Sequence, residues 1–371
     1  MKRHGWLFAA MLGVGCGAPI PNTPRASGSA SAEAQGPPPA ATQEREDPMD
    51  TLARGDGRPN DAALALGDHA LKSGDERGAL LAYQHAATLA PNDPAPLVGI
   101  ARATLAAAEV PSGVNAAPNS EVARAVAIAL KRATSLDANY APAWLELGRT
   151  FLVLGRFKSA LKPLKNAARL DPTIAEAHSA LGIALLVDGQ APLAIEALDR
   201  AARMEPWRAE RHANLGTAQL AAGKLSDAII SLREAAKLAP DRARYESDIG
   251  TALTQAGDPG SALPHLRRAV ALEPAHASFL SNLGFAFAAL GDDGRAIAAF
   301  QRATTLDPKL GSAWINLGNA LARRRQYAEA RAAYDKAKSL DSEDPRVDAV
   351  MKELAEIEAA ESKGSPESKT P

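Results

Sequence analysis

The sequence predicts an all-α chain, a solenoid of stacked helix-turn-helix units flanked by tails. Three observations predict it. One pattern returns every 34 positions from Ala141 to Asp344 without an insertion, marked by Gly148, Gly182, Gly216, Gly250, Gly284 and Gly318. A fixed period of this kind builds one elongated body, not the two or three domains that 371 residues could otherwise hold. Within each unit the apolar positions follow helical spacing, as in Trp144, Leu147 and Phe151. Hydrophobic residues make up 46% of the chain but aromatics only 4%, so the core must consist largely of Ala and Leu, which suit close helix packing.

At the start, Lys2, Arg3 and His4 precede an apolar run from Trp6 to Val14. That is the layout of a secretory signal peptide, with an apolar stretch too short to span a bilayer. The single cysteine, Cys16, follows Leu12-Gly13-Val14-Gly15. One cysteine permits neither an intramolecular disulfide nor a cysteine-based zinc cluster. Residues 1–16 resemble a signal ending in the lipobox of bacterial lipoproteins, with Gly13 standing where Leu is usual. The resemblance implies lipidation of Cys16, a membrane attachment through that lipid anchor, and, with Gly17 in place of Asp, an outer membrane lipoprotein facing the periplasm. An ordinary cleaved signal, giving a soluble periplasmic or secreted protein, is the alternative. Residues 17–59 are rich in Pro, Ala and Ser, including Pro37-Pro38-Pro39, and read as a disordered tether because they cannot bury enough apolar area to offset ordering.

Eight units follow. The first, 60–93, carries Leu66, Gly67, Gly74, Ala79, Tyr83, Ala86 and Pro91 on the common template. The second, 94–140, holds 13 extra residues between its helices, placed at Glu109–Ser120. This loop reads either as a tolerated surface insertion or as an edge that touches a partner. Six regular units span 141–174, 175–208, 209–242, 243–276, 277–310 and 311–344. The first helix of each, helix A, ends at Gly155, Gly189, Gly223, Gly257 and Gly291, where glycine adopts the left-handed conformation readily; Arg325 replaces it in the last unit. The second helix, helix B, carries alanines seven apart, such as Ala160 and Ala167, which let its backbone approach the glycine-bearing face of helix A. Pro172, Pro206, Pro240, Pro274 and Pro308 then stop helix B. Pro163 and Pro264 fall inside helix B, which predicts late helix starts capped by Ser159 and Ser261. Segment 345–362 reads as a capping helix with Val347, Val350, Met351, Leu354 and Ile357 on one face, opened by Asp344 and Pro345. Residues 363–371 read as a disordered tail.

The glycine, the paired alanines and the closing proline resemble the tetratricopeptide repeat, whose W-x2-L-G-x2-Y…A-x3-F…P pattern has this period. The resemblance implies a right-handed α-solenoid in which helix A lines a concave face, with positions 2, 5, 6, 9, 12 and 13 turned to a ligand. On this sequence those positions include Leu145 and Ile183, part of a largely apolar wall interrupted by Glu146, Arg149 and Glu176. Further along they include Asn214, Asp248, Asn282, Asn316 and Asn319. Asn214, Asn282 and Asn316 share position 6 and resemble the asparagine ladder with which some members hold an extended peptide backbone; the other reading is that Asn is merely common there. An amide both donates and accepts, so a ladder binds chain without reading its sequence.

No phosphate loop, dinucleotide fingerprint, H-E-x-x-H or calcium-loop pattern is present in the sequence. His178 and His212 occupy the slot that holds Trp144 and Trp314, either as packing residues or as a metal or proton site. Asp292-Asp293 and Arg323-Arg324-Arg325 read as solvated charge. A net charge of −1 lacks the basic balance that nucleic acid demands. The expectation is a non-catalytic protein–protein interaction scaffold with no metal, no cofactor, no nucleic-acid partner and no small-molecule substrate. It would bind an extended peptide or helix in its groove, in envelope assembly or secretion. Two alternatives stay open, a pilotin-like assembly factor for a pilus or secretin and a regulatory subunit of an envelope enzyme.

Overall fold

The computed structural model describes residues 51–364, and over them it is all-helical. Cys16, the signal-like segment and most of the tether lie outside the described residues. The chain divides between Glu205 and Pro206 into two compact units. The first contains α1 (Asp61–Lys72), α2 (Glu76–Leu89), α3 (Ala95–Ala107), α4 (Glu121–Leu136), α5 (Ala141–Val153), α6 (Phe157–Leu170), α7 (Ala175–Val187) and α8 (Ala191–Met204). The second contains α9 (Ala209–Ala221), α10 (Leu225–Leu238), α11 (Ala243–Gln255), α12 (Pro259–Leu272), α13 (Ala277–Ala289), α14 (Asp293–Leu306), α15 (Gly311–Arg323), α16 (Tyr327–Leu340) and α17 (Pro345–Gly364).

Each helix pair is set by the turn between its members. After α5, Gly155 has φ 67°, its amide donates to the Leu152 carbonyl and the Arg156 amide reaches back to Phe151 at 2.8 Å. This is a Schellman motif, which satisfies the last carbonyls of the helix. The same bond joins Gln190 to Leu185, Lys224 to Gln219, Asp258 to Leu253 and Asp292 to Phe287. Arg325 makes the turn with φ 62° despite its side chain.

The turn fixes where helix B begins, and this corrects the reading of the two internal prolines. α6 starts at Phe157 and α12 at Pro259, with Asp258 accepting from the Ser261 amide at 3.0 Å. Neither Ser159 nor Ser261 caps its helix. Pro163 and Pro264 therefore lie inside regular helices. Pro163 is buried, so its ring fills core space, whereas Pro264 is exposed.

Close packing of helix A on helix B explains the 34-residue glycine series. A Cβ at Gly182 would stand 2.4 Å from Leu198 Cγ and 3.1 Å from the Ala194 carbonyl oxygen. Side chain and backbone of helix B both occupy the space a larger residue needs. Ala160, Ala194, Ala228, Ala262, Ala296 and Ala330 are all fully buried.

Two stretches differ from a bare repeat array. In the 108–120 loop the Asn115 amide donates to Leu152 O at 2.8 Å and the Ala117 amide to Val153 O at 3.0 Å. The loop thus gives Leu152 O a donor besides Gly155 and supplies one to Val153 O at the end of α5. At the beginning, residues 51–59 are placed on the folded body, although their composition reads as tether. Leu52 is buried, and the Leu52 and Ala53 amides donate to Asp68 Oδ2 at 2.7 and 3.0 Å. The Arg54 and Gly55 amides donate to the Asp61 carboxylate.

Candidate functional site

The exposed face of the helix A series is where a partner would lie. In the first unit an ion network closes this face. Glu146 accepts from Arg102 Nε at 2.8 Å, Arg149 Nη1 stands 3.4 Å from the same oxygen, and Arg149 Nε is 3.6 Å from Glu176. Burial alone would raise the Glu146 pKa, but the two guanidinium groups outweigh it and hold the carboxyl below its usual range. Ile183 is half-buried beside this network's repeats. Leu145, expected in the groove, is fully buried. The turn of the helix that buries Glu146 beneath its arginines directs Leu145 into the core cluster.

In the second unit the same face is polar and mostly neutral. Asn214, Thr217, Asp248, Thr251, Asn282 and Asn316 are all half-buried. Thr217 and Thr251 donate their hydroxyls to the Ala213 and Ser247 carbonyls four residues back, both at 2.9 Å. Asn282 Nδ2 donates to Ser247 Oγ at 3.0 Å, tying one position-6 amide to the preceding helix A and leaving its carbonyl oxygen to accept. Asp248 Oδ2 is enclosed and makes no hydrogen bond; Arg244 Nε, one turn earlier, lies 3.4 Å away without hydrogen-bond alignment. Burial pushes the Asp248 pKa up to about 6, with Arg244 opposing only in part.

Asn319 departs from the expected groove position. It is fully buried, its Oδ1 accepts from the Tyr334 hydroxyl at 2.7 Å, and its Nδ2 is enclosed without a partner. The reason lies one helix away. Where the other regular units have Leu or Phe beneath the glycine, this one has Tyr334, and a buried hydroxyl needs a polar neighbour. The first repeat repeats the arrangement, with the Tyr83 hydroxyl on Asp68 Oδ1 at 2.9 Å. Sequence reasoning missed Asp68 and the N-terminal segment whose amides it holds. The signal was present in the paired change, Tyr for Leu in helix B together with Asp or Asn one residue after the helix A glycine.

The ring slot has a shared structural task. Trp144 and Trp314 donate their indole N–H to the carbonyls of Ala138 and Pro308, and His178 and His212 place Nε2 3.1 and 3.0 Å from the carbonyls of Pro172 and Pro206. Each ring fastens helix A to the turn before it. Burial lowers the His178 pKa, and the bond its Nε2–H donates to the Pro172 carbonyl opposes that shift only in part. In the fourth slot counted from Trp144, Glu246 substitutes through Arg268, which stands 3.3 Å from it and donates to Pro240 O at 3.0 Å. The charges near the last turn are likewise structural: Asp292 caps α14 and Asp293 pairs with Arg323.

A stack of helix pairs that turns side chains of successive first helices to one face is the architecture of a protein-interaction scaffold. The tetratricopeptide repeat pattern matches residues 145–210, 179–243 and 247–311, and a second tetratricopeptide repeat pattern matches 311–344. The chain belongs to the tetratricopeptide repeat family. It is similar in fold to the structure described as the APC/C hetero-tetramer Cut9-Hcn1, at TM-score 0.55 and 16% identity, covering 81% of this chain and 57% of that one. Shorter likenesses are to YrrB, a TPR protein with an unusual peptide-binding site (TM-score 0.42, 20% identity, 50% of this chain and 96% of that one), and to Pseudomonas aeruginosa PilF (TM-score 0.48, 20% identity, 58% and 98%). No curated protein matches the chain.

Proposed function

We propose that this chain is a non-catalytic scaffold that holds an extended peptide segment of another protein on the helix A face of its second unit. The observation that carries the reading is the row of half-buried polar groups at one register on successive first helices, Asn214, Asp248, Asn282 and Asn316. Asn282 is already oriented by its bond to Ser247, so little side-chain freedom is lost when a peptide N–H arrives. The first unit's face, closed by the Arg102–Glu146–Arg149 network, offers fewer groups to a guest. Cross-linking capture from membranes with the full chain and with an Asn282→Ala/Asn316→Ala variant tests this; a clear drop in recovered partner is expected, and equal recovery removes the row from consideration.

The reading extends to location. Lys2 to Gly17 support a lipid anchor at Cys16 on the periplasmic side of an outer membrane, where the scaffold would serve envelope assembly or secretion. Mass analysis of the mature N-terminus is expected to find a diacylated or triacylated Cys16. A start at any other, unmodified residue overturns the anchor.

A further inference from the structure

The chain contains its own comparison for Asp248. In these repeats position 9 of one unit meets position 6 of the next, as the 2.8 Å pair between Arg102 and Glu146 shows. Glu146 is thereby served by two guanidinium groups, Arg102 at position 9 of the preceding unit and Arg149 at position 9 of its own. Asp248 stands at the same position 6, but both of its position 9 neighbours are threonines, Thr217 and Thr251. Those hydroxyls spend their hydrogens on backbone carbonyls and turn only acceptor capacity to the face. Asn282, at the next position 6, spends an amide hydrogen on Ser247. The result is a half-buried carboxylate flanked by acceptors, with one oxygen enclosed and without a hydrogen bond, and Arg244 Nε 3.4 Å from it.

From this we infer that the second unit selects a basic side chain, with a lysine or arginine of the bound segment taking, over Asp248, the place that Arg102 takes over Glu146. The inference rests on the peptide-binding reading above and adds the chemistry of the guest. Lys and Arg suit the site because they donate and never accept. A neutral amide or a backbone group would bring a carbonyl that finds no donor among Thr217, Asp248 and Thr251. A guest carboxylate would be repelled.

The test uses the full chain against surface-bound 12-residue peptides of Ser, Ala and Gly that carry one central Lys, Arg, norleucine or Glu. Lys and Arg peptides are expected to be held about tenfold more tightly than norleucine ones, the value of one net charge-assisted contact at a half-exposed site. Asp248→Asn should erase the preference. Thr217→Arg, which restores the internal cation, should do the same while leaving the fold intact. Equal retention of Lys and norleucine peptides by the wild-type chain overturns the inference and leaves peptide binding standing, as does a preference undiminished in both variants. Retention of no peptide at all overturns both.

Discussion

A carboxylic acid whose burial raises its pKa to about 6 keeps its proton to higher pH in the folded chain than in the unfolded one, where 3.8 applies. Between those values the folded Asp248 binds more protons than the unfolded one, so its contribution to stability falls as pH rises from about 4 to 6 and stays low above that. Asp248→Asn should therefore stabilise the protein at pH 7 by about 1–3 kcal/mol, with the gain fading toward pH 4. Urea denaturation of both proteins at the two pH values measures it; an equal difference at both would refute the burial account. The contrast with Glu146 is informative at this scale. Two acids at one register differ because one has arginine neighbours and the other threonines, so a residue that lowers stability is kept where a guest can use it. The sequence displayed both acids and both sets of neighbours. What it lacked was the contact rule between position 9 and the next position 6, which only the Arg102–Glu146 geometry supplies.

Helix boundaries in this array are dictated from outside the helix. In the regular repeats a left-handed residue, glycine in all but the last, ends each helix A with two backward hydrogen bonds, and helix B starts two residues later whatever its own caps prefer. For that reason Pro264 sits in the body of α12 on its exposed side, removing an amide bond and packing against nothing in return. Pro264→Ala is expected to raise the thermal midpoint, recovering a part of the roughly 3 kcal/mol that an interior proline costs, about 1–2 kcal/mol after the preceding turn has relaxed. An unchanged or lower midpoint would show that the ring is compensated locally. The same rule explains what was legible. The 34-residue glycine and alanine series identified every helix pair of the regular repeats, because at each such glycine a Cβ would run into the helix B side chain packed over it. The prolines misled, because local capping preference lost to the turn. Leu145 and Asn319 misled for another reason, since a family position describes an average side chain and a buried tyrosine such as Tyr334 pulls its neighbour inward.

Stacked repeats are stable only as far as each one covers the next, so the ends of the array need separate solutions. The first repeat uses the irregular segment 51–59, whose Leu52 is buried and whose amides are held by Asp68 and Asp61. Composition could not reveal it, because four residues fixed by two carboxylates leave no periodic signal. The last repeat uses α17. Val347 packs with Ile315 and Ala337, while Val350 and Leu354 join the main core of the second unit. Full burial of three such side chains contributes about 1.5–3 kcal/mol each, an upper figure because the unfolded chain already shields part of that area. Removing residues 345–371 should thus destabilise the second unit by about 4 kcal/mol. The loss should appear first in α15 and α16, whose amides would exchange with solvent faster than those of α9 and α10, since free energy in such arrays is passed between nearest neighbours. Because Asn316 rides on α15, the same truncation should weaken peptide capture even at temperatures where the chain remains folded. Exchange rates that rise equally in all four helices would contradict nearest-neighbour coupling, and unchanged rates in α15 and α16 would mean that α17 does not support the repeat it covers.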